Sequence, residues 1–442
     1  MKLLFMDEKG PQNSFKISSP FNKISKLSYA NDNMHSYVAN VIQIDEFDYV
    51  HIERKFQEIV EEYLSNRPQL RESLAKNKKE LKGLNLLKSN FEYGIASMKK
   101  NEIKFYMDLL DLLLEYDVEN LLFMVSKMSI ITSSRLINFL YFLDSKTKFS
   151  ASIAKYVVTK YAEVEASEEV IKALLDKSLS TKKILELIRN DMSTISRKNL
   201  GNTRMFRQIG TYNKFIMAID LALNCETELT EPNLPLSFDW SKVKWAFDLW
   251  MTEQRFTGIE NQWRLFLDEG IPQDVFTSLD FYQVDGGCNS RDYVGLQITD
   301  IIVVLIGKLI SQLNLRTKYD FEKPDQHVLL CDDYYNFSEA QFDFIKKLQK
   351  FILARKGQYH FINDAYFDDS VLLETYISYI SSYHTFENYN KVELKQHSEL
   401  HLAYFIKNSA MKFKKSMEVE ALAKEYYGTI KAAVKAKMFR PL

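Results

Sequence analysis

Two acids stand at the end of a short apolar run at the start of this chain, Leu3-Leu4-Phe5-Met6-Asp7-Glu8-Lys9-Gly10. Far along the chain a single acid interrupts an equally apolar run, Gly295-Leu296-Gln297-Ile298-Thr299-Asp300-Ile301-Ile302-Val303-Val304. A carboxylate at the end of a buried strand and one inside a buried helix are each costly unless a cation or hydrogen-bond donors meet them. Acids converging from separate segments suit Mg²⁺ or Mn²⁺, which take oxygen ligands. A pair of such ions can activate water and stabilise a leaving oxygen in phosphodiester cleavage.

Each acid also has a plainer reading. Strand alternation puts Phe5 and Asp7 on one face and Met6 and Glu8 on the other, so Asp7 is the better ligand and Glu8 begins the turn. Asp7 to Gly10 also reads as a polar turn after an edge strand. Asp300 lies beyond the second turn of a helix capped at Asp292, so capping does not explain it, but a Lys or Arg from elsewhere would. Glu80, in Lys79-Glu80-Leu81-Lys82-Gly83, reads as one charge in a solvated basic run. Asp239 either ends a strand or caps the next helix. Asp285, before Gly286-Gly287, reads as a turn residue. His397 and His401 share a helix face, but Ser398 stands where a zinc-protease motif needs Glu, so they read as ordinary helix residues.

The elements that must position these side chains are mixed. Strands are expected at 3–7, 36–44, 120–126, 235–239 and 279–284, and helices at 49–64 and 101–116. Residues 129–225 read as wholly helical. A helix is expected at 241–267, with all four Trp at its start or within it, and the Asp300 helix follows the Asp285 turn. Residues 316–442 read as mostly helical, ending in a basic helix at 417–438. The expected organisation is an α/β core in two parts, 1–128 and 230–315, a helical insertion, 129–229, and a helical C-terminal region, 316–442.

The 442 residues suit two or three domains, and 46% hydrophobic residues mark a globular chain. Glycine is scarce at 13, and neither a dinucleotide nor a P-loop motif occurs. The net charge of -1 is not that of a nucleic-acid polycation, although residues 76–104 and 403–442 are locally basic. Cys225, Cys288 and Cys331 are far apart and odd in number, which suggests no disulfide framework and a reducing cytoplasm. No signal peptide is expected, and the apolar run Ile301–Ile306 is far shorter than a membrane span, so no membrane partner is expected.

In this order the segments resemble the bacterial domain-of-unknown-function family 3800, predicted nucleases with an RNase H-like fold. Its opening Asp-Glu-Ser-Gly is matched by Asp7-Glu8-Lys9-Gly10, its Glu-(Ile/Leu)-Lys element by Glu80-Leu81-Lys82, and its closing turn and Leu-Gln-x-Ala-Asp helix by Val284-Asp285-Gly286 and Leu296-Gln297-Ile298-Thr299-Asp300. Lys9, Gly286 and Thr299 depart from the pattern. Lys9 beside two carboxylates would compete with a metal or contact phosphate. The resemblance covers about half the chain, 1–128 and 230–312, and matches neither helical portion.

The resemblance implies an RNase H-like mixed sheet with Asp7, Glu80 and Asp300 as ligands of Mg²⁺ or Mn²⁺. Asp239 and Asp285 are candidates for a fourth, and Lys82 would orient phosphate or a carboxylate. The implied activity is phosphodiester hydrolysis of DNA or RNA, in a build that also suits defence against phage. The alternative is a nuclease fold without catalysis, holding a protein partner or a second copy through its helical regions.

Overall fold

The computed structural model describes residues 1–10, 15–19, 21, 26–28, 34–77, 79–87, 91–147, 149–225, 229, 238–256, 262–277, 282–317, 330–353, 361–363, 368–428, 432–433 and 436. Its centre is a mixed sheet built on β1 (Lys2–Lys9), whose residues Leu4, Phe5 and Met6 are fully buried. Such a run, apolar on both faces, belongs to a strand covered on both sides. β2 (Ser36–Asp45) runs antiparallel to β1 and to β3 (Glu119–Ser126). On the other side of β1, β4 (Trp263–Asp268) and then β5 (Tyr282–Cys288) lie parallel to it. A short β6 (Phe361–Asn363) adds to β3 in parallel, giving the order β5-β4-β1-β2-β3-β6.

Alternation divides the sheet into two faces. Leu3 and Phe5 of β1 join Val38 and Ile42 of β2 and Met124 of β3 in one apolar cluster. It is covered by α1 (Glu46–Ser65), α2 (Lys100–Glu115), α3 (Val294–Thr317), α4 (Glu339–Ile352) and α5 (Asp368–Ser381). Leu4, Met6, Val41 and Phe123 face the opposite way, against Val243, Phe247 and Trp250 of the helix Trp240–Phe256. Helices thus cover both faces, and those of residues 316–381 share one core with the sheet.

α3 carries Asp300. It lies tight on β1 because Gly295 presents no Cβ, and one built there would sit 2.3 Å from the Phe5 ring. Val294–Asn314 is long and apolar enough to cross a membrane, with a mean hydropathy of 1.8, yet 89% of its most apolar window is buried inside the fold. Within α3 the apolar stretch is therefore longer than the run Ile301–Ile306 suggests, and its partners are protein.

The segment 127–223 forms the expected succession of helices, with its own apolar cluster from Phe139, Tyr161, Leu185, Ile188 and Phe215. Polar contacts tie it to the sheet. The Ser126 hydroxyl donates to Glu163 at 2.6 Å, and Lys160 reaches Asp369, itself bonded to His35, at 2.7 Å.

Three local expectations change. Trp263–Asp268 is a strand and not the end of a helix, so Trp263 leaves the tryptophan helix, which ends at Phe256. Pairing on both sides and burial of Leu265 and Leu267 decide this, because neighbours β1 and β5 offer a complete ladder. Asp285-Gly286-Gly287 is no turn but part of β5; the left-handed Gly287 (φ 65°) falls where the pairing with β4 shifts register. Glu8 stays in strand, opposite Ala39, and β1 stops only at Gly10, whose φ of 101° suits glycine alone. Residues 235–237 of the strand expected at 235–239, and the start of that at 279–284, fall outside the described residues, while 238 and 239 are not in strand. The C-terminal helix, α6 (Leu394–Tyr427), begins well before 417, and most residues after it also lie outside them.

Candidate metal centre

Asp7 lies on the face of β1 that meets α3, as alternation requires, and is 1% exposed. One carboxylate oxygen, Oδ1, accepts the Glu8 N–H at 2.6 Å. The other, Oδ2, is buried with no hydrogen-bond partner. Burial pushes the Asp7 carboxyl well above the usual carboxylate range; Asp300 and Asp268 add to this and Lys9 opposes it. Glu8 is raised as well, by burial and by Asp7, and its Oε2 is also buried without a hydrogen-bond partner.

Asp300, on α3, is likewise 1% exposed. Its Oδ2 accepts the Gly83 N–H at 2.7 Å, and its Oδ1 meets the Lys9 ammonium at 2.9 Å. The backbone bond depends on Gly83, since a Cβ there would lie 2.7 Å from Val304 Cβ. Lys9 is thus the counter-ion that the interior acid of an apolar helix demands. Burial works to lower the Lys9 pKa, but Asp300 and Asp7 outweigh it and raise it above the ordinary lysine value.

Glu80 and Lys82 reach the same region in the extended stretch before Gly83. Glu80 Oε1 takes Lys82 Nζ at 2.9 Å and the Ser290 hydroxyl at 2.9 Å, and its Oε2 faces Arg291 Nε at 3.3 Å. Burial would raise its pKa, but Lys82, a backbone N–H and the Ser290 hydroxyl hold it at about 2. Burial lowers the Lys82 pKa, yet Asp300, Glu80 and Asp7 together raise it. Lys82 thus pairs directly with Glu80 and also feels the charges of Asp300 and Asp7. Both Glu80 oxygens are already engaged, by Lys82, Ser290 and Arg291.

A further acid was hidden by the helical reading of 241–267. Asp268 ends β4, one residue past Leu267, which pairs with Met6, so Asp7 and Asp268 stand at matching positions of adjacent parallel strands. Burial raises the Asp268 pKa; Lys82 and Lys9 oppose this and Asp300 adds to it. Its signal was present, for Leu265-Phe266-Leu267-Asp268 repeats the form of Leu4-Phe5-Met6-Asp7.

The remaining candidates lie elsewhere. Asp239 is exposed and accepts the Ser241 N–H at 3.0 Å, capping the helix Trp240–Phe256. Asp285 pairs with Arg264 of the neighbouring strand at 2.7 Å. His397 and His401 are buried among tyrosines, bonded to the hydroxyls of Tyr379 and Tyr335 at 2.8 Å each. Burial lowers the His401 pKa to about 3, so it is a neutral core residue.

Among the described residues no three His, Cys, Asp or Glu side chains are already gathered as a metal-binding group. The donors at the end of β1 nonetheless fit a hard divalent ion. They are all carboxylate oxygens, Asp7 Oδ2 is orphaned, and Asp300 Oδ1 has a cation as its partner. No known protein family, no curated protein and no solved structure matches the chain.

Proposed function

We propose that this chain is a metal-dependent nuclease with an RNase H-like core, acting on phosphodiesters of DNA or RNA. One observation carries the reading. Lys9, two residues after Asp7 at the end of the central strand, pairs with Asp300 of a distant helix, and Asp300 and Asp268, the latter at the end of the next parallel strand, both act on the buried Asp7 carboxylate. Parallel β4 and β5 on one side of β1, and antiparallel β2 followed by β3 on the other, support an RNase H-like reading of the sheet.

In this reading Asp7, Asp268 and Asp300 hold Mg²⁺ or Mn²⁺. The bound ion would supply Lewis acidity and a more acidic water. The Gly83 N–H fixes the orientation of Asp300, and Glu80 holds Lys82 where its ammonium can meet a phosphate oxygen. Arg291, about half exposed, adds a second cation at the rim. Phe5 stacks on Phe266, whose ring meets Tyr293 at a tilt, so the two residues that precede Asp7 and Asp268 by one strand repeat form an apolar base next to the carboxylates.

The test is cleavage of single- and double-stranded DNA and RNA in Mg²⁺ or Mn²⁺. Asp7→Asn and Asp300→Asn should each abolish it, and wild-type rates in both variants would refute the reading. The second reading, a binding protein that keeps the fold without catalysis, draws on the ion pair that already satisfies Asp300. It predicts no metal-dependent cleavage and no tight Mn²⁺ binding by calorimetry.

A further inference from the structure

We propose that Lys9 is a displaceable internal cation: its ammonium occupies the ligand oxygen of Asp300 and must leave before a divalent ion can bind. This rests on the metal-centre reading above and concerns how that centre is regulated.

The first argument is steric. A divalent ion of this kind sits about 2.1 Å from a carboxylate oxygen. Lys9 Nζ is 2.9 Å from Asp300 Oδ1, and among the described residues that oxygen has no hydrogen-bond partner beyond this ion pair. An ammonium and a metal cannot share that approach, because their charges repel at such a separation.

The second argument is the contrast in mobility between the partners. Asp300 is 1% exposed, set in the body of α3, and held on its far oxygen by the Gly83 N–H. Lys9 is the last residue of β1, its side chain is 24% exposed, and Gly10 follows in a left-handed conformation. A flexible four-carbon stem at a strand end can swing its charge to solvent while the carboxylates stay in place.

The third argument is what a divalent ion would find beside Asp300. The orphaned Asp7 Oδ2 gives it a ligand with no donor to displace, so the Lys9–Asp300 pair is the contact that must break. A phosphate arriving at the site draws the departing ammonium outward, so metal and nucleic acid should bind cooperatively.

The experiment is Mn²⁺ titration of the full chain by calorimetry and by electron paramagnetic resonance, with no substrate present. Lys9→Ser should bind Mn²⁺ at least tenfold more tightly than wild type. Lys9→Arg keeps the charge and can grip Asp300 with two N–H groups, and it should bind at least threefold more weakly. If both variants bind as wild type does, while Asp300→Asn loses binding, the displacement proposal is overturned and the metal centre stands. If Lys9→Ser is folded by circular dichroism yet neither it nor wild type binds Mn²⁺, the metal reading fails and takes this proposal with it. If Lys9→Ser does not fold, Lys9→Arg decides: affinity equal to or above wild type overturns the proposal.

Discussion

Replacing Gly83 with alanine probes the contact that orients Asp300. The added Cβ would lie 2.7 Å from Val304 Cβ and 3.1 Å from the Asp300 carbonyl oxygen. Neither atom can move aside by changing rotamer, since one is the branch point of a valine and the other is helix backbone. The segment must back away from α3. Overpacking of this kind costs about 1–3 kcal/mol. Lengthening the Gly83 N–H bond to a buried carboxylate adds up to about 1.5–3 kcal/mol. The stiffer unfolded chain returns about 0.4–1 kcal/mol. A net loss of about 3 kcal/mol is expected, read as a lowered urea midpoint by circular dichroism, together with weaker Mn²⁺ binding. Gly210 is the control: it lies in the helix Phe206–Leu223, and a Cβ there meets nothing within 4 Å. Gly210→Ala should stabilise by about 0.5–1 kcal/mol. If Gly83→Ala unfolds within about 0.5 kcal/mol of wild type, the range of an ordinary surface change, the close approach described here is wrong.

Two further outcomes follow from the same geometry. The Asp7 pKa is raised in the fold above its unfolded value of about 4. Between the two values the native state keeps a proton that the unfolded chain has lost, so stability falls as pH rises through that window. In EDTA, Asp7→Asn should therefore melt higher than wild type at pH 8, with the gain shrinking towards pH 4; equal melting at both ends would show that Asp7 is not held in an unfavourable charged state. Asp239→Ala should cost about 1 kcal/mol through the lost cap and leave Mn²⁺ binding unchanged, whereas Asp268→Asn should weaken binding. Calorimetry that reverses this order would place the ligand set elsewhere.

The sequence by itself determined β1, β2, β3, α1 and α2 closely, because their apolar periodicity and turn residues act over a few neighbours. It determined that Asp7 faces away from Met6, since alternation is a property of any strand. It also determined that Asp300 needs a partner, since no local device relieves an acid in the middle of an apolar helix. Which partner was a tertiary matter. Lys9 and Gly83 reach Asp300 only because β1 and the 80–83 segment pack on α3. Trp263–Asp268 was misread because a short run of aromatic and aliphatic residues satisfies either period, and only a place between β1 and β5 makes it a strand. With that strand came Asp268, and with the fold came the demotion of Asp239 to a cap and of Asp285 to the partner of Arg264. Local patterns specify which groups are costly to bury; three-dimensional packing decides which charges meet, because Coulombic and hydrogen-bond partners here come from segments hundreds of residues apart.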